Sequence, residues 1–174
     1  MFSHIQIGAR NLDAMIAFYD AVLAPLGLVR MTDHDDGPAG AGWHLPGQSW
    51  PQFFVQLPFN GLPATSGNGV QVSFAASSQD QVRAAWQAAT TSGGTDEGAP
   101  GLRPQYSADF FGAYCRDPEG NKLCFVHAEG LGRLGRSGSP DMHAGSTTTP
   151  LIYAVAAVPF MCVTGADGSL SSAK

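Results

Sequence analysis

Charge is scarce in this chain of 174 residues: Asp, Glu, Lys and Arg make up 13% of it, about half the usual quarter. Nine Lys and Arg, nowhere clustered, stand against fourteen Asp and Glu, for a net charge of −5. Nothing in that balance neutralises a phosphate backbone, so nucleic acid is not an expected partner and the ligand should be small. Long apolar runs are missing too. Residues 151–163 form an apolar stretch interrupted by Pro159, well short of the roughly 20 residues that cross a bilayer, so no membrane partner is expected. The N-terminal residues lack the basic start and apolar stretch of a signal peptide. Cysteine is limited to Cys115, Cys124 and Cys162, an odd number without CxxC spacing, which reads as free thiols in a cytoplasmic protein. What the chain has in abundance is glycine and proline, 22 and 12 residues, the mark of a turn-rich globular protein whose length suits one full-size domain.

Displaced by 67 positions, the chain matches itself. His4-Ile5-Gln6-Ile7 falls on Gln71-Val72-Ser73-Phe74, two short alternating segments that read as strands. Asn11 falls on Ser78, each suited to accept from an exposed backbone N–H at a helix start. Leu12, Met15, Ile16, Tyr19, Val22, Leu23 and Leu26 then trace one apolar stripe, and Val82, Ala85, Trp86 and Ala89 trace a second. Gly27 falls on Gly94, where each helix needs a stop. Strand-like runs follow at residues 41–45 and 52–57 in the first half and 110–116 and 121–127 in the second. The last two are joined by Asp117-Pro118-Glu119-Gly120, strong type I turn chemistry. Each half therefore reads strand, helix, then two or three strands. A half of about 60 residues is marginal alone, so the halves should pack together, with a curved sheet enclosing a cavity.

These residues resemble the vicinal oxygen chelate superfamily, which includes glyoxalase I, extradiol dioxygenases and the bleomycin and fosfomycin resistance proteins. The resemblance is carried by His4-Ile5-Gln6-Ile7 with Asn11-Leu12 and Phe18-Tyr19, and by the closing DPEGNKLCFV at residues 117–126, and it covers about residues 1–128. It implies an α+β fold of two βαβββ modules forming a cupped, barrel-like mixed sheet, with modules at about 1–60 and 68–128. It also implies a homodimer, since members often dimerise. Metal-using members take ligands from the first and last strands of each half. On that pattern His4 fills the first slot, Gln71 the matching slot of the second half where His is common, and Cys124 a place where Glu is usual. The remaining slot falls among Val55, Gln56 and Leu57, with Gln56 the only candidate. An amide oxygen is not a preferred zinc ligand.

None of the fourteen acids falls within an expected strand. The base that proton abstraction beside a carbonyl requires is thus missing, as are the charged oxygens that hard cations prefer and the carboxylate of the iron oxygenase triad. His4, Gln56 and Gln71 are read as polar groups lining the cup, with His4, Gln71 and Cys124 the only metal candidates. Cys124 reads more simply as a small buried hydrophobe. Among Tyr106, Phe110, Phe111 and Tyr114, a period of two puts Phe110 and Tyr114 on one face and Phe111 on the other; most belong to the core, and one or two line the pocket. Trp43 and His44 carry the same choice. Arg103 suits a ligand carboxylate or a solvated loop, and His34 among Asp33, Asp35 and Asp36 reads as a polar loop. Residues 129–174 form a Gly/Ser/Thr-rich tail whose apolar segment, residues 151–163, suits an edge strand, a segment exchanged with a partner, or an extension without function. The expected function is a pocket that binds or sequesters a small organic ligand, with no cofactor or a weakly held divalent metal. The alternative is a metal-dependent lyase, isomerase or dioxygenase with altered ligands.

Overall fold

The structure, a computed structural model, describes residues 2–32, 37–129 and 131. His34 with its acidic neighbours, Cys162 and the apolar segment 151–163 lie outside those residues. Two modules follow one another. The first comprises β1 (His4–Gly8), α1 (Leu12–Leu23) with a 3-10 turn at Ala24–Leu26, β2 (Val29–Arg30), β3 (Gly40–His44) and β4 (Gln52–Gln56). The second comprises β5 (Gln71–Ala75), α2 (Gln79–Thr91), β6 (Thr95–Leu102), β7 (Phe111–Arg116) and β8 (Lys122–His127). Each is βαβββ, and each folds its own four-stranded mixed sheet, in the orders β1-β4-β3-β2 and β5-β8-β7-β6. The first strand of each module runs parallel to its last, and the other pairs are antiparallel. The two sheets do not close into a barrel.

The helix starts follow from their caps. Asn11 Oδ1 accepts from Ala14 N at 3.2 Å, and Ser78 Oγ accepts from Gln81 N at 3.2 Å, each satisfying an orphan donor of the first turn. Gln81 Oε1 reaches back to Ser77 N at 2.7 Å. Gly27 ends the first helical segment at φ 82°, a left-handed conformation that glycine adopts without strain. In the second module Gly93 takes that conformation. Gly94 is glycine for a different reason, since a Cβ there would stand 2.7 Å from Arg116 O and 2.8 Å from Ala89 O.

Period two explains the sheets. Ala41, Trp43, Phe53 and Val55 in module 1, and Val72, Phe74, Ala113, Cys115, Leu123 and Phe125 in module 2, are buried beneath the helices. They join Met15, Phe18, Tyr19, Val22, Val82, Ala85 and Ala89 in one core. Helix α1 touches α2, and Phe53 meets Phe74 with ring centroids 5.1 Å apart, so the helix-covered faces of both sheets share that core. Phe18 is buried as well as the expected stripe because α1 has a neighbour on a second side. The opposite, open faces of the sheets point away from it.

Strand β6 (Thr95–Leu102) corrects the expectation that every acid falls outside the strands, which rests on strand runs at residues 110–116 and 121–127 alone in the second half. Asp96 and Glu97 lie in β6. The segment TDEGAPGL carries two glycines and a proline, poor strand formers, but β6 is an edge strand with register shifts between Asp96/Gly98 and Gly98/Gly101, the setting in which such residues are tolerated.

The turn between β7 and β8 does more than reverse the chain. Asp117 is the one buried polar or charged residue among the described residues, 3% exposed. Its carboxylate accepts from Glu119 N, Asn121 N and Asn121 Nδ2 at 2.8–2.9 Å and from the Tyr19 hydroxyl of α1 at 2.9 Å. Glu119 accepts from Arg10 N at 2.8 Å and Asn11 N at 2.7 Å, placing a negative charge on the N-terminus of α1, where the helix dipole favours it. Module 2 thus holds the helix of module 1 at two points. Tyr19→Phe leaves a buried carboxylate one donor short, and an expected loss of about 1–3 kcal/mol follows, read as a lower midpoint in urea unfolding; Glu119→Gln should cost about 1 kcal/mol. If both variants unfold within about 0.5 kcal/mol of the parent, the scale of an ordinary surface change, apolar packing alone joins the modules.

Candidate functional site

The open face of module 2 is built by alternation. Strand register sets Gln71 beside Lys122, Ser73 beside Cys124 and Cys124 beside Tyr114. Gln71 Nε2 donates to Ser73 Oγ at 3.0 Å. The Ser73 and Tyr114 hydroxyls lie close to the Cys124 sulfur, and the Tyr106 hydroxyl lies close to that of Tyr114. The Tyr106 and Phe110 rings lie 5.1 Å apart, and Phe110 covers Gly112, where a Cβ would come within 2.8 Å of the ring. So Gln71, Tyr106, Phe110, Tyr114 and Cys124 stand together. Phe111 turns to the other face, where the Arg83 guanidinium lies 4.6 Å from its ring centroid.

His4 and Gln56 are on the other sheet. His4 pairs in register with Gln52, and Gln56 with Gly8 and Gly40, so they stand at opposite ends of the open face of module 1. The place that Cys124 takes in module 2, two residues beyond the partner of the first strand's opening residue, is held in module 1 by Phe54. Its ring meets His4 edge-on at 6.0 Å, and exposed Trp50 lies 6.3 Å from His4. His4 Nδ1 is engaged by Ser3 Oγ at 3.0 Å. Trp43 is core, its indole N–H donating to Asp20 at 3.0 Å, while His44 is tied to Gln48 O at 2.8 Å.

Three charged residues of the module 2 face, Glu97, Arg116 and Lys122, escaped the sequence reading. Glu97 pairs with Arg116 and with Lys122. Lys122 and Arg116 were legible, since alternation from Cys124 and Tyr114 puts them on the same face; Glu97 was not, because its strand was not. The hydrogen bond from Arg116 first, and then that from Lys122, holds the Glu97 carboxyl below its ordinary range, which makes it a weak base. A cleft of about 530 Å³ lies elsewhere, between Arg10, Pro38, Leu57, Phe59, Leu62 and Pro63, and includes none of the residues chosen from the sequence.

A divalent metal, as the resemblance implies, would have to be held by His4, Gln71 and Cys124, and these do not fit it. Burial pushes the Cys124 thiol up to about 11, so it is protonated at neutral pH, whereas a metal ligand is a thiolate. Gln71 offers a neutral amide oxygen, and no carboxylate joins them. Among the described residues no three His, Cys, Asp or Glu side chains gather where an ion could sit.

That burial is testable by reactivity. Cys124, 1% exposed, is expected to resist iodoacetamide at pH 7–8 and to become alkylated only as pH rises towards 11, as read by peptide mass spectrometry. Rapid labelling of Cys124 at pH 7 in the folded protein would show a thiolate and reopen it as a metal ligand.

Helix lengths add one exclusion: no helix among the described residues is long and apolar enough to cross a membrane. No curated protein matches this sequence. Solved structures do. A glyoxalase/bleomycin resistance protein from Albidiferax ferrireducens is 37% identical, with a TM-score of 0.63, covering 74% of this chain and 98% of that one. A glyoxalase/bleomycin resistance protein/dioxygenase family enzyme from Burkholderia phytofirmans is 20% identical, with a TM-score of 0.55 and coverage of 72% and 96%. A lactoylglutathione lyase from Agrobacterium tumefaciens is 19% identical, with a TM-score of 0.50 and coverage of 78% and 97%; these last two speak to the fold. The family model described as Glyoxalase/Bleomycin resistance protein/Dioxygenase superfamily matches residues 1–125. With two βαβββ modules, a repeat in register and that match over most of its length, the chain belongs to the glyoxalase/bleomycin resistance protein/dioxygenase superfamily.

Proposed function

We propose that this protein binds or sequesters a small organic ligand on the open faces of its sheets, without a tightly held metal. The observation that carries this reading is the chemistry of those faces. They present amides, hydroxyls, an imidazole and aromatic rings, and the Glu97 carboxylate there is occupied by Arg116 and Lys122. Such groups hold a ligand by shape and hydrogen bonding; they do not supply a free base near neutral pH. Residues 1–128 are the unit that does this, in a reducing, cytoplasmic setting where the buried thiols of Cys115 and Cys124 stay free. The alternative, a metal-dependent lyase, isomerase or dioxygenase with altered ligands, rests on exposed His4, whose Nδ1 is engaged by Ser3. Elemental analysis of protein purified without added metal is expected to give far less than one equivalent of zinc, nickel, iron or manganese. A stoichiometric ion that disappears in His4→Ala would decide for the alternative.

Assembly belongs to the same proposal. Each open face is a half-cup, since the sheets share their core on the other side, and Trp50 and Tyr106 remain more than half exposed. A second copy laid against these faces would complete the cup, so a homodimer is expected. Light scattering at micromolar concentration checks it; a sharp monomer mass throughout that range would sink the dimer.

A further inference from the structure

Three cations, Arg103, Arg116 and Lys122, stand on the module 2 side of the candidate site against one carboxylate, Glu97. Arg116 and Lys122 both pair with Glu97. Arg103 pairs with no acid among the described residues. Its guanidinium donates from Nη1 to Leu102 O at 3.1 Å and from Nη2 to Ala99 O at 2.8 Å, which leaves three of its five N–H donors for something else.

Its placement is built into the fold. A Cβ on Gly101 would stand 2.8 Å from Nη1, and one on Gly98 would stand 3.7 Å from Nη2 and 3.1 Å from the Tyr114 ring. The guanidinium therefore lies along a strip that two glycines of β6 keep bare. Backbone bonds hold the loop that carries it: Arg103 N donates to Phe110 O at 2.8 Å, and Tyr106 N donates to Arg103 O at 2.9 Å. The Arg103 Cζ and the Lys122 Nζ each lie 5.7 Å from the Tyr114 ring centroid, so two positive groups converge on one phenol. A planar guanidinium held against a sheet, half-buried and without a counter-charge, matches the two oxygens of a carboxylate. Beside it the rings of Tyr106, Phe110 and Tyr114 offer apolar surface for the body of the ligand.

We propose that the ligand is a small organic acid whose carboxylate seats on Arg103, with Lys122 and the Tyr114 hydroxyl beside it and its apolar portion against Tyr106 and Phe110. This rests on the small-ligand reading above and adds the ligand's charge to it. The probes are benzoate and phenylacetate, compared with the isosteric neutral amides benzamide and phenylacetamide, titrated by NMR into the full-length protein in its own oligomeric state. The acids should bind at least about tenfold more tightly than the amides, and Arg103→Gln should lose about 10- to 100-fold in affinity for the acids, the range for a hydrogen bond to a charged group. Arg103→Lys should recover only part of that, because the fork is gone. Arg30→Gln, which breaks a surface pair with Asp20 on the other module, should leave affinity unchanged. Acid binding should weaken as salt is raised.

Amides that bind as well as the acids, or an Arg103→Gln protein with a normal urea midpoint and undiminished acid affinity, would overturn the assignment while leaving the small-ligand reading standing. Failure of all four probes to bind would remove both. If Arg103→Gln does not fold, the acid-to-amide ratio measured on the parent protein decides the matter.

Discussion

A buried carboxylate joins the two halves of this protein. Asp117 has surrendered its hydration to a turn, and it is affordable only because four donors replace the water, three from its own loop and one from the Tyr19 hydroxyl of the other module. Uncompensated, a charge so placed would cost several kcal/mol. The Tyr19 phenol is itself held well above its ordinary pKa, by burial first and then by the carboxylate, so it remains a donor. Two residues on, Glu119 meets the opening N–H groups of α1. The N-terminal end of α1 is therefore held from module 2.

Much of this was legible in the sequence. The repeat, both helix caps, the paired stripes and the turn at residues 117–120 were readable because each rests on local rules of spacing and side-chain reach. The turn could be read as a turn but not as a latch, since the partners of Asp117 and Glu119 lie in another module. Strand β6 was missed for a physical reason: its backbone pairs through bulges at glycines, so neither alternation nor composition announces it. With β6 went Glu97. The site was legible in composition more than in arrangement. Cys124 reads as small and apolar and is buried, and the company kept by Tyr106, Phe110 and Tyr114 follows partly from period two. The distance between His4 and Gln56 does not, because it depends on the register of a parallel pair that no turn dictates.

The same sheet that could have carried a metal centre carries a different balance of groups. Where a charged ligand would be wanted there is a thiol kept protonated by burial, and where the fold supplies a carboxylate, two cations already hold it. On the function proposed for it, a face of that kind recognises its ligand rather than activating it. The membership of the chain in its superfamily fixes the scaffold, and the side chains on the open faces decide what is done with it.

The strand order has a consequence for how the chain is assembled. In both sheets the first strand made is seated against the last: His4 waits for Gln52, and Gln71 for Lys122. Neither module can close its sheet until nearly all of it has left the ribosome. The latch reaches farther still, since Arg10 and Glu119 are 109 residues apart. Topologies built on such distant pairings gather slowly, because loop closure precedes the contacts that reward it. During that interval the nascent first module has its helix stripe uncovered and its opening strand unpaired, a state in which chains of this size are open to aggregation and to pairing with another copy. The second module is therefore a chaperone of sorts for the first: its final turn, made late, supplies the carboxylates that seat a helix made near the beginning.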